Sequence, residues 1–172
     1  MRFFPKQFLL GLLAMTSIGL LVGCSKTDTP TPAATAPIVA KWTLADIKGV
    51  FSTNYSGSAS SAIDQKGTGS ETFTFAADNS FVSVGSFKIS SVSINAGTGT
   101  YKITGDELRI QAKDDLSKDN VYYFKATIVG SSMTLQLTRD LYFKGLKESA
   151  GYAAGVQEAI IKDLDVTLSF KK

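Results

Sequence analysis

The 172-residue chain has no histidine, one cysteine and four prolines, none of them beyond residue 37. Without imidazole there is no Ser-His-Asp triad, no Cys-His pair and no histidine-ligated zinc or haem. A single thiol excludes an intramolecular disulfide and a multi-cysteine metal site. Charge of one sign is scarce too. Arg2 and Lys6 are the only charges in residues 1–23, and without them 16 basic groups face 15 acidic ones. That balance lacks the clustered positive excess of a nucleic-acid binder. The absence of proline over residues 38–172 suits strands that must donate every backbone N–H. The length suits one domain with a sizeable core.

The N-terminus is a different material. Arg2 and Lys6 form a short basic region, and residues 7–23 follow without a charge, ending Leu21-Val22-Gly23-Cys24. Such an apolar run engages the export machinery. It resembles a bacterial lipoprotein signal peptide, whose lipobox places an apolar residue and two small or apolar residues before a cysteine. The resemblance implies that Leu21, Val22 and Gly23 are the lipobox and that cleavage precedes Cys24. It also implies that the Cys24 thiol and its new amine are acylated. The alternative is a plain transmembrane anchor with an idle cysteine. Ser25 follows Cys24 where some lipoproteins carry a retention Asp, which leans toward the outer membrane, with the periplasmic and surface-facing leaflets both open.

Three organisational units are expected: a signal peptide over 1–23, lipidated Cys24 with a tether over 24–40, and a β-domain over 41–172. The tether holds three of the four prolines among Thr and Ala and reads as extended chain. About 16 such residues reach on the order of 50 Å.

From Trp42 onward the dominant period is two. Residues 71–76 put Phe73 and Phe75 on one face and threonines on the other. Residues 81–89 alternate, with a bend expected at Gly85 before Val92 and Ile94. Residues 95–99 are expected as a loop. Strands 100–104 and 107–111 flank Gly105-Asp106, the clearest hairpin signal. A second hairpin joins 121–129 to 133–138 around Gly130-Ser131. Residues 165–170 alternate to the C-terminus, and a first strand near 47–55 brings the count to about eight. One stretch breaks the pattern: Leu146, Ala150, Ala153, Ile160 and Leu164 have helical spacing, which predicts an amphipathic helix over 146–164. Its Gly151 and Gly155 suit close packing on a sheet.

Short antiparallel strands with hairpin turns predict an all-β sandwich or closed barrel. Lys41-Trp42-Thr43-Leu44, the run from Phe73 to Phe81, Gly99-Thr100-Tyr101-Lys102-Ile103, Glu107-Leu108-Arg109-Ile110 and Met133-Thr134-Leu135-Gln136-Leu137 resemble the small lipocalin-like lipoproteins common in Bacteroidetes-type bacteria. The resemblance implies an eight-stranded antiparallel lipocalin-like barrel with one helix before the last strand; an immunoglobulin-like sandwich is the alternative. Lipocalins carry Gly-x-Trp near the start, where this chain has Ala40-Lys41-Trp42. A late Arg packs over that Trp in the family, and Arg139 is the only candidate for it here.

The candidate catalytic and metal motifs are incomplete. The acidic group Asp114, Asp115, Asp119 with Asn120 lacks the alternating order of a calcium loop and reads as a solvated turn. Gly67-Thr68-Gly69 and Gly97-Thr98-Gly99 lack the endings that cradle phosphate and read as flexible turns. Asp106, Glu107, Asp163 and Asp165 are the carboxylates a hydrolase reading would have to pair. Lys147, Lys162, Lys171 and Lys172 read as solubilising charge. No catalytic residue, metal ligand or cofactor is assigned. The aromatics remain: Phe73, Phe75, Tyr101 and Tyr123 are candidates for lining a ligand cup, against the plainer expectation that they fill the core. The resulting expectation is a non-enzymatic, lipid-anchored envelope protein binding a small apolar or amphipathic molecule. The alternative is a structural or accessory protein-interaction module of an envelope complex, using a strand edge or the helix.

Overall fold

The computed structural model describes residues 38–54, 60–89, 92–94, 97–113, 118–149 and 156–172. Cys24 with its lipobox, Asp114, Asp115, Gly151 and Gly155 lie outside them. The fold is a closed eight-stranded antiparallel β-barrel, as the lipocalin-like pattern predicts. In chain order the strands are β1 (Ala40–Thr53), β2 (Ser61–Lys66), β3 (Thr72–Phe75), β4 (Ser80–Val84), β5 (Phe87–Ile89), β6 (Val92–Ile94), β7 (Thr98–Thr104), β8 (Glu107–Lys113), β9 (Asp119–Val129) and β10 (Ser132–Thr138). Two helices, α1 (Arg139–Glu148) and α2 (Val156–Ile160), precede the last strand, β11 (Ile161–Lys171).

Neighbours around the wall run β11-β10-β9-β8-β7-β4-β3-β1, and β11 pairs back onto β1 to close the ring. Closure rules out the sandwich, because two packed sheets would leave four edges unpaired. The closing ladder is long: Thr43 faces Lys171 and Thr53 faces Ile161. On its other edge β1 serves two partners in turn. Its first residues pair with β3 (Ala40 opposite Phe75, Thr43 opposite Thr72). From Asp46 to Phe51 it pairs with β2 instead. β2 is thus an extra strand beside the barrel, and only Ile63 of its six residues is buried. β5 and β6 pair with each other as a separate two-stranded sheet.

Inward positions alternate as the period-two pattern requires. Leu164, Val166, Leu168 and Phe170 of β11, and Met133, Leu135 and Leu137 of β10, are all buried. Both predicted hairpins form where Gly105 and Gly130 sit. The bend predicted at Gly85 also forms. Its φ of +89° is left-handed backbone that favours glycine, and the chain turns there from β4 into β5.

Several boundaries differ from expectation. β1 begins at Ala40 rather than near 47, and Ile38 is already buried in the core. β7 begins at Thr98, so Thr98-Gly99 belongs to a strand rather than a flexible turn. The helix predicted over 146–164 is displaced. α1 spans Arg139–Glu148, α2 spans Val156–Ile160, and Leu164 lies in β11. The physical reason is that Leu164 continues the period-two face of Val166, Leu168 and Phe170, and its ladder pairing with Phe51 outweighs helical spacing there. The α1 start had its own signal. Thr138 is the N-cap, its side chain accepting from the Leu141 N–H, with Asp140 in the first turn.

Candidate functional site

The lumen is walled by rings. Phe73, Phe75, Phe81 and Tyr101 project inward from β3, β4 and β7, Phe170 from β11 and Phe124 from β9, and all are buried. Phe73 sits at the centre of the group. Its ring centroid is 5.0 Å from Phe170 in a stacked arrangement, 5.2 Å from Phe81 edge-on and 4.5 Å from Phe87. Phe75 lies 4.9 Å from Tyr101, edge to face. Each such contact adds about 0.5–1.5 kcal/mol beyond area burial. Tyr101 keeps one polar handle: its hydroxyl donates to the Ala76 carbonyl at 2.9 Å. Burial, and after it the Asp78 carboxylate, pushes its phenol pKa up.

Of the four predicted lining residues, the structure brings Phe73, Phe75 and Tyr101 together as part of the packed core. Tyr123 is set apart from them. β9 carries rings on both faces, and on it Phe124 points inward while Tyr123 lies on the outer face under α1. There the Tyr123 hydroxyl donates to Glu148 at 2.7 Å, and the Lys144 ammonium stands 4.1 Å from its ring centroid. Arg109 joins the same carboxylate at 3.0 Å, and Lys144 pairs with Glu107 at 2.7 Å. The hydrogen bond from Tyr123, with those from Arg109, holds the Glu148 carboxyl below its ordinary range. Gly145 lets the helix approach closely, since a Cβ there would overlap the Val121 carbonyl oxygen. The Val121 N–H in turn donates to Ser149 Oγ at 2.9 Å.

The two ends of the barrel differ. At one end lie the turns at 76–79, 105–106 and 130–131, with the start of β1 and the end of β11. Trp42 is fully buried there, its indole N–H donating to the Ile38 carbonyl at 2.8 Å. The cation over its ring is Lys172, at 4.6 Å, not Arg139. The Lys172 backbone N–H also donates to the Ser131 carbonyl. Lys172 therefore does more than solubilise the C-terminus. Arg139 belongs to the opposite end, over the Phe143 ring at 4.8 Å, donating to the Ile161 and Glu158 carbonyls.

At that opposite end β4 stops at Val84 and β7 starts at Thr98, and the chain between them forms the β5–β6 hairpin. Phe87, Ile89 and Ile94 point into the lumen and are at most 2% exposed. Phe87 reaches deep enough to lie 6.2 Å from Phe170. Sequence periodicity places Phe87 and Ile89 on one strand face but carries no sign that this face turns into the barrel.

The carboxylates weighed for catalysis are engaged separately. Asp106 pairs with Lys125 and Glu107 with Lys144. Asp163 accepts from Ser52 at 2.7 Å and Asp165 from Gln136 at 2.9 Å. Among the described residues no three His, Cys, Asp or Glu side chains gather as a metal site. One shallow cleft opens on the outer surface among Val50, Thr138, Arg139, Asp140, Asp163 and Asp165. No protein-family model, curated protein or solved structure matches this chain.

Proposed function

We propose that the chain is a lipid-anchored lipoprotein of the cell envelope, placed in the outer membrane, whose lipocalin-like barrel binds a small apolar or amphipathic molecule without catalysing a reaction. The lumen carries the binding half of this reading. Its described wall is aromatic and aliphatic, with Ser83, opposite Phe73, the buried polar side chain on the inward face among the described residues, so an occupant is recognised by shape and burial. One end is sealed by Trp42 and Lys172, and the other is covered by an element outside the wall. Anchoring is supported by the lipobox ending at Cys24. Several acyl chains there, at about 0.8 kcal/mol per buried methylene, would hold the protein for its lifetime.

Two experiments test it. A Cys24→Ser chain is expected in the soluble fraction or at unprocessed mass; a variant still membrane-bound at the mature mass overturns the anchoring. Native mass spectrometry of gently purified protein is expected to find an apolar molecule near one per chain. Protein free of any such molecule that also fails to take up apolar probes overturns the binding.

A second reading, as a protein-interaction module, rests on β2. That strand ends the sheet order with one edge paired to β1 and the other unpaired in the sheet, a geometry that accepts an added strand. Its exposed Asp64, Gln65 and Lys66 are the polar side chains that blunt unspecific pairing. Crosslinking in intact cells from position 64 captures a stoichiometric protein under this reading and none under the first.

A further inference from the structure

We propose that the β5–β6 hairpin is a displaceable plug that occupies the binding site itself, so the barrel accepts a ligand only when the hairpin swings out. The proposal rests on the ligand-binding reading above and says how that site is gated.

Three observations carry it. First, the hairpin is not wall. Its backbone pairs Phe87 with Ile94 and Ile89 with Val92, within its own sheet. Among the described residues, what holds it in place is the apolar contact of Phe87, Ile89 and Ile94, while Lys88 on the other face is exposed.

Second, the wall is complete without it. The β4–β7 ladder runs from Ser80 opposite Thr100 to Val82 opposite Thr98. One step further, the Ser83 N–H donates to the Gly97 carbonyl at 2.9 Å, and the Gly97 N–H donates to Ser83 Oγ at 3.0 Å. The ladder is thus clipped shut where the hairpin leaves and returns. Swinging the hairpin out breaks none of these bonds.

Third, a hinge stands in place. Gly85, at φ +89°, is the first residue beyond β4 and can change its dihedrals with little steric penalty.

Beneath the plug lie Phe73, at 4.5 Å from Phe87, and Phe170. Displacing it exposes a ring-walled space with the volume of the three withdrawn side chains, about fifteen carbon atoms of hydrocarbon. The ligand class follows: an acyl chain or fused-ring hydrocarbon of about that size, with any polar end at the mouth. Exposing three large apolar side chains keeps the open state on the order of one molecule in ten thousand. Apparent affinity is lowered by the same fraction until a ligand restores the lost burial.

Hydrogen exchange read by mass spectrometry tests this on the full chain as its host processes it, in nanodiscs where it is membrane-bound. The probes are tetradecanoic acid and pyrene. In wild type, amides of residues 87–94 are expected to exchange well before those of β3 and β11. Ile89→Val, which removes one methylene of the plug's own burial and none of the wall's bonds, should speed residues 87–94 about fivefold and leave β11 unchanged. Saturating probe should accelerate residues 87–94 while slowing β3 and β11, an opposite-sign pattern that eviction alone produces. Phe87→Ala should raise probe affinity at least about tenfold; should it fail to fold, Ile89→Val carries the test. Probe that protects the hairpin together with the wall overturns the plug and leaves ligand binding standing. A hairpin that opens locally while neither probe alters exchange anywhere supports the mobile element and overturns the ligand reading. Residues 87–94 exchanging in step with β11 in both proteins overturn the plug outright.

Discussion

Two elements outside the barrel wall differ in how much polar chemistry attaches them to it. The β5–β6 hairpin enters the lumen and is held by Phe87, Ile89 and Ile94. α1 lies against the outside of β9, where polar ties add to its apolar packing: Tyr123 and Arg109 on Glu148, Lys144 on Glu107 and Ser149 on Val121. The apolar packing is Phe143, deeply buried, with Leu141, Tyr142 and Leu146 against the core. Apolar burial is non-directional and carries no charge to screen or titrate, whereas ion pairs between half-exposed groups are screened and titrate. One barrel thus carries one attachment that responds to hydrocarbon and another, part of whose hold responds to ions and protons.

The largest expected effect separates wall from plug. Phe73→Ala, at the centre of the ring group, should cost about 4 kcal/mol in urea unfolding. Phe87→Ala should cost less, about 3 kcal/mol, because the hairpin can lift away and the site can collapse. Equal losses would make Phe87 an ordinary part of the wall and break the comparison. Tyr123→Phe comes next. It keeps the ring under Lys144 and removes the hydrogen bond to Glu148, for an expected loss of about 1 kcal/mol. Exchange should quicken in α1 and not in residues 87–94; acceleration of both would mean the two elements are coupled.

Lys172→Met serves as a reference at the sealed end. Losing a cation over the Trp42 face should cost about 0.5–1 kcal/mol, read by thermal unfolding and by the emission of the only tryptophan. Neither outside element should loosen. Acid gives the smallest and most selective effect. The Glu148 carboxyl is lowered in the folded protein, by Tyr123 first and by Arg109. Its contribution is therefore present above the ordinary glutamate pKa and is lost as pH falls through the lowered folded value. Exchange in α1 should rise across that window while exchange in the plug stays flat. A plug that loosens in parallel would erase the chemical distinction.

Much of the wall is legible in sequence because its rules are local. Phe73 and Phe75 two residues apart define an inner face, Gly105 and Gly130 sit where hairpins must turn, and Gly85 marks the bend. β2 escapes because a strand with one buried side chain, Ile63, has no apolar period to read. Tyr123 escapes because Tyr122, Tyr123 and Phe124 put rings on both faces of β9, so alternation cannot say which face is the lumen. The partner of Trp42 escapes for another reason. Lys172 and Trp42 are distant in sequence, and a basic residue at a chain end looks like any solvated charge until the barrel closes. The plug is the hardest to foresee: its strands obey period two like the rest, and only the topology withholds them from the wall.

The long β1–β11 ladder carries one more consequence. Thr43 at the start of β1 faces Lys171 at the end of β11, and the register runs from there to Thr53 opposite Ile161. The chain therefore enters and leaves the barrel side by side. A force pulling residues 40 and 172 apart would load this seam as a zipper, one backbone pair at a time, rather than in shear across the whole ladder. Mechanically, the seam that completes the barrel is also where it would tear, and tearing would begin beside Trp42 rather than at the plugged mouth.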